Sequence, residues 1–86
     1  VEDGYWRGAV WAPCASLLAH GLADAGETGL AREIARRWCD NCVAHPGFWE
    51  NYSALSGRGL RAPETLWSAA VFIDLATCFL RDEREV

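Results

Sequence analysis

The sequence predicts an all-α chain of three helices with a long functional loop between the second and the third. Three observations carry that expectation. Apolar residues recur at helical spacing in two segments, Pro and Gly punctuate the ends of those segments, and a third segment is apolar on nearly every side.

The first helix is expected over about 13–25. Cys14, Leu17, Leu18, Gly21 and Leu22 recur on one face, while Ser16, His20 and Asp24 fall on another, where His20 should simply be exposed. Pro13 suits a first turn, in which its missing N–H costs nothing, and Gly26 suits the left-handed residue that closes a helix. The second helix is expected over about 28–44, opened by Thr28 and stopped by Pro46 and Gly47. Leu30, Ala31, Ile34, Ala35, Trp38, Cys39 and Cys42 share its apolar face, and Arg32, Glu33, Arg36, Arg37, Asp40 and Asn41 share a wet one. It reads as an outer helix.

The third helix is expected over about 64–81, after Pro63. Leu66, Trp67, Val71, Phe72, Ile73, Leu75, Phe79 and Leu80 point in every direction, so it should be enclosed by more neighbours than two helices can provide. Asp74, alone on this apolar element, needs a partner such as an Arg or a backbone amide. Between the second and third helices, residues 46–62 form a loop of about seventeen residues, a length that in compact domains usually signals function when aromatic content argues against disorder.

Composition sharpens these expectations. The 86 residues are 51% hydrophobic, 23% charged and include five Trp, which excludes intrinsic disorder. A chain of this length hides only about 60–65% of its unfolded surface, so so much apolar area predicts self-association or a missing remainder. The net charge of -4 and eight scattered Arg with no Lys exclude a phosphate-binding stripe, and nucleic acid is not an expected partner. The apolar run 66–80 is broken by Asp74 and too short to span a membrane. The acidic, polar opening VEDGYW does not read as a signal peptide, and a cytoplasmic location is expected. A sequence that starts at Val1 and contains no Met is expected to be a piece of a longer protein or to begin at a GUG codon.

The chemistry concentrates in two places. In PGFWENYSALSGRGL, Glu50 lies between Trp49 and Asn51, with Phe48 and Tyr52 close by. A carbohydrate site needs these residue types: aromatic faces for the C–H faces of a sugar, amides for its hydroxyls, and a carboxylate as general base or nucleophile. The alternative is that Phe48 and Trp49 merely anchor the loop around a solvated Glu50. GYWRGAVW forms the second cluster, where Arg7 can clamp a carboxylate or hydroxyl pair or instead form a salt bridge to Asp3 or Glu50. Cys39, Cys42 and His45, completed by Cys14 or Cys78, have the makings of a zinc site. Without a second paired motif, reduced thiols, no metal and no cofactor are expected. SGRG is a turn and not a phosphate loop.

YWRGAVWAP, then a helix, then FWENYSALSGRGL, then a Pro and LWSAAVFIDL resemble, over residues 4 to 80, the C-terminal stretch of the six-hairpin glycosidases. The closest resemblance is to glycoside hydrolase family 63, whose members include mannosyl-oligosaccharide glucosidases and bacterial glucosyl- and mannosylglycerate hydrolase-like enzymes. Trehalases are more distant. Those enzymes typically read YWRGPVW, then F-x-E-x-Y-(D/N)-P-x-T-G-x-G, then a D-F-x-W-T-A helix start. Here Ala9, Ser53, Ala54, Thr65 and Leu66 depart from the pattern.

The resemblance implies that residues 1–86 are part of an (α/α)6 toroid, supplying its last three helices. It implies an inverting hydrolysis of O-glycosidic bonds with Glu50 as the general base. Tyr5, Trp6, Arg7, Trp11, Trp49, Tyr52 and Trp67 would line the sugar subsite. The family's acid is an Asp well upstream of this stretch, so the chain should be inactive by itself. The implied partners are an oligosaccharide or glycoside substrate and the remainder of the barrel. A small helical interaction module that self-associates is the alternative.

Overall fold

The computed structural model of the chain describes residues 9–81. The order is β1 (Val10–Trp11), α1 (Ala12–Asp24), α2 (Thr28–Ala44), β2 (Asn51–Tyr52), β3 (Gly59–Leu60) and α3 (Leu66–Phe79). Each helix packs against the other two. The three helices and the long loop between α2 and α3 match the expected fold class. α3 begins two residues later than expected. Glu64 takes a left-handed φ of 58°, and its N–H is donated to the Gly47 carbonyl rather than left for a helical turn.

The short three-stranded antiparallel sheet was not expected. β2 is its centre, with Val10 opposite Tyr52 and Trp11 opposite Asn51 on one side, and Asn51 opposite Leu60 and Tyr52 opposite Gly59 on the other. The loop is therefore an ordered hairpin. Its tip is tied by the Ser53 hydroxyl, which accepts from the amides of Leu55 and Ser56 at 3.1 Å each. Gly57 reverses the chain at a φ of 80°, and Asn41 Nδ2 donates to its carbonyl at 2.9 Å.

The core sits between the helices and β2. α2 turns Ala31, Ala35, Trp38, Cys39 and Cys42 inward, five of the seven residues on its expected apolar face. α1 instead buries the small line Ala12, Ala15 and Ala19, and Leu17, 75% exposed, and Leu18 project outward. Small side chains let helix axes approach closely, and dispersion between well-packed backbones rewards that approach. α3 buries Leu75 and Ser68 but leaves Leu66 and Ile73 bare, so an apolar face of this helix is uncovered. Trp38 and Tyr52 meet edge to face at 5.9 Å. The Trp38 indole N–H is buried without a hydrogen-bond partner.

Asp74 has side-chain partners other than the expected Arg or amide. It accepts from His20 Nε2 at 2.8 Å, Ser16 Oγ at 3.3 Å and Cys78 Sγ at 3.4 Å. His20 is thus half-buried and paired rather than simply exposed. The His20 hydrogen bond is the main reason the Asp74 carboxyl is held below its usual range. No helix among the described residues is long and apolar enough to cross a membrane.

All four cysteines are free thiols, Cys14 and Cys78 exposed, Cys39 and Cys42 buried. Burial pushes Cys39 up to about 12 and Cys42 up to about 11. At pH 8 their thiolate fractions are of order 10⁻³ or less, and the thiolate is the reactive form. With EDTA present, a disulfide reagent should therefore modify Cys14 and Cys78 in the native protein, and Cys39 and Cys42 only after denaturant is added. Four equally fast thiols would contradict the buried placement of α2.

Candidate functional site

The hairpin and the entrance of α3 form one hydrogen-bonded unit around Glu50. Its N–H donates to the Ala62 carbonyl at 2.7 Å, and its own carbonyl accepts from Trp67 Nε1 at 3.2 Å. On the preceding residue, the Trp49 carbonyl accepts from the buried Ser68 hydroxyl at 2.6 Å. The Trp49 N–H donates to the Tyr52 hydroxyl at 3.2 Å. The Phe48 carbonyl accepts from the Thr65 N–H at 2.8 Å. The main chain around Glu50 is thus fixed by α3 and the segment that leads into it.

Local strain accompanies this anchoring. Phe48, Arg61 and Glu64 all have positive φ without being glycine, at 48°, 68° and 58°. Such conformations cost of order 1–3 kcal/mol each and persist where surrounding contacts over-determine them, which is common at functional loops. Gly59 contributes differently: the Trp49 indole lies so close to its Cα that any side chain there would overlap the ring. Trp49 Nε1 donates to the Pro46 carbonyl at 3.0 Å, fixing the ring's other edge.

β1 brings the first motif to the second. Trp11 is 2% exposed and meets Trp67 edge to face, with centroids 5.6 Å apart and planes at 72°. Trp67 keeps 38% of its surface open. With Glu50, Thr65, Leu66 and Ala70 it lines an open depression on the protein surface. An aromatic ring thus stands beside Glu50, braced from behind by a buried indole. Such a site can hold the apolar face of a sugar ring against Trp67 and present a general base to water.

The other expected site residues are placed as follows. Trp11 supports Trp67 from beneath, and Trp49 is half-buried against Gly59. Tyr52 is 1% exposed, with its side chain in the core. Burial, followed by its contact with Cys42, pushes its hydroxyl above the ordinary phenol range. Tyr5, Trp6 and Arg7 lie outside the described residues. Ser68 was not singled out from the sequence, and Asn51, whose amide was expected to bond sugar hydroxyls, is placed in the core instead. Ser68 was hidden in an apolar helix, and Asn51 is fully buried at the centre of the sheet with neither end of its amide hydrogen-bonded. Only the Ser68 spacing from Trp67, one residue beyond the helix entrance, offered a signal. A second cavity, between α1, α2 and the hairpin tip, is lined by Trp11, Leu18, Trp38, Asn41 and Ser53 and does not include Glu50.

Residues 2–68 match the family model described as "Mannosylglycerate hydrolase MGH1-like glycoside hydrolase domain". The matched stretch contains Trp11, Glu50, Trp67 and Ser68, and so the whole depression except Ala70. No curated protein and no solved structure matches the chain.

Proposed function

The chain belongs to the mannosylglycerate hydrolase MGH1-like glycoside hydrolase domain family, and from that premise we propose that it carries the water-activating half of an inverting glycosidase site. Glu50 is the general base. It takes a proton from water as that water attacks the anomeric carbon, while an acid elsewhere in the enzyme protonates the departing oxygen. The observation that carries this reading is the double anchoring of Glu50, by Ala62 through its N–H and by Trp67 through its carbonyl. A base must be held within hydrogen-bond reach of its water, and main-chain restraint on both sides fixes where Glu50 sits.

Trp67 is the stacking surface of the sugar subsite, and Tyr5, Trp6 and Arg7 complete it from the preceding segment. The acid is an Asp from the remainder of an (α/α)6 toroid, with its carboxyl about 6.5–9.5 Å from that of Glu50 to leave room for water. Glucosyl and mannosyl glycosides, among them mannosylglycerate, are the proposed substrates. The exposed Leu17, Leu18 and Ile73 are seats for neighbouring barrel helices. The same bare residues favour, as a second reading, a self-associating helical module, which light scattering separates by giving a defined dimer.

The test is the anomeric configuration of the first product, followed by proton NMR on a chain that includes the acid-bearing segment. The anomer released first should be opposite to that of the substrate. Release with retained configuration would remove the base role, because it requires a carboxylate that attacks the sugar itself.

A further inference from the structure

Where α1 meets α3, three side chains able to bind a metal converge. His20 comes from α1, and Asp74 and Cys78 come from successive turns of α3, four residues apart and so on one face. His20 Nε2 lies 2.8 Å from one Asp74 oxygen and Cys78 Sγ lies 3.4 Å from the other. The three ligand atoms are all within 4.8 Å of one another. None of them takes part in the proposed hydrolysis. They also sit apart from the Cys39, Cys42 and His45 grouping suggested by sequence spacing.

We propose that His20 Nε2, the Asp74 carboxylate and Cys78 Sγ form a zinc site, with water as the fourth ligand. Zinc takes nitrogen, oxygen and sulfur donors in tetrahedral sites with bonds of about 2.0–2.3 Å, which places the donors roughly 3.3–3.8 Å apart. The observed spread of up to 4.8 Å exceeds that range by about 1 Å at most. A thiolate with an imidazole disfavours magnesium and calcium. Ser16 Oγ, 3.3 Å from the Asp74 oxygen that faces His20, orients the carboxylate from the second layer. The Phe79 ring, 5.1 Å from the imidazole, restricts its rotation. With 43% of the His20 side chain and 37% of the Asp74 side chain exposed, an ion can enter from solvent and retain a water.

The charges balance. One carboxylate and one thiolate neutralise the dication, and the thiol proton leaves to solvent. The neutral imidazole keeps its proton on Nδ1 and offers the Nε2 lone pair. The two hydrogen bonds to Asp74 are thereby exchanged for metal bonds. The site also accounts for a carboxylate on an otherwise apolar helix. The buried pair is the poorer ligand set, since Cys39 Sγ already faces the Phe72 carbonyl and both thiols are shut off from solvent.

Cobalt(II) titration of the reduced chain tests this directly, with zinc affinity then read by competition. One equivalent should bind and give a thiolate-to-cobalt charge-transfer band. Cys78→Ser should abolish the band, and His20→Gln should weaken zinc by about a hundredfold or more. Ser16→Ala should weaken zinc by roughly tenfold, as loss of an orienting partner does. Cys39→Ser should change neither, and far-ultraviolet circular dichroism verifies that each variant is folded. Absence of a stoichiometric complex overturns the proposal. So does a band that survives Cys78→Ser, or one that disappears in folded Cys39→Ser.

Discussion

Glu50→Gln is expected to lower kcat by about 10²–10⁴-fold, the usual contribution of a positioned general base, while KM changes little. The amide keeps the shape of the carboxylate but cannot take the proton of the attacking water. The loop is held at this residue by its own N–H and carbonyl, and circular dichroism should verify that the variant is folded. The measurement is steady-state hydrolysis of a mannosyl or glucosyl substrate by a chain that includes the acid-bearing segment. Glu50→Ala sharpens the test. Azide needs no deprotonation, so it should restore turnover in the alanine variant and give a glycosyl azide of inverted configuration. Undiminished kcat in Glu50→Gln would assign the base to another carboxylate.

Trp11→Ala should have the largest effect on stability, about 3–5 kcal/mol, as for other large aromatic truncations in a core. Trp11 is among the largest fully buried side chains, and it joins β1, the sheet and Trp67. A domain of this size commonly has only about 5–15 kcal/mol in total, so the variant should lose much of its folded population in mild urea. Trp67→Ala is the control: that ring is partly open, and its loss should cost far less stability while removing the proposed sugar platform. If the two variants gave similar urea midpoints, the buried indole would not be bracing the site.

Much of the helical frame was legible because helices announce themselves by period and punctuation. α2 shows this best, with its wet and dry faces both readable. The strands were not legible, since two residues are too few to display an alternation. Their partners are set by where the helices deliver them. α1 misled in a specific way. Hydrophobicity ranks Leu17 and Leu18 as core residues, but close helix packing selected Ala12, Ala15 and Ala19. Glu50 and Trp67 stood out because their motifs carry chemistry. The inward turn of Tyr52 and the bond from Ser68 to Trp49 depend on three-dimensional placement that neighbours in sequence do not reveal. The His20–Asp74 contact spans 54 residues, and no local pattern points across that distance.

The pairing of Trp11 with Asn51 has a kinetic side. It closes a chain loop of roughly forty residues, and the entropy of such a closure grows as (3/2)RT ln n, about 3 kcal/mol here before any contact returns it. The α1–α2 hairpin, made of near neighbours, can form first and cheaply shorten that loop. With the loop shortened in that way, β1 is expected to pair with the hairpin, and Trp11 to meet Trp67, after α1 and α2 have docked. Trp67 would then gain its buried brace only in chains whose helices have already docked.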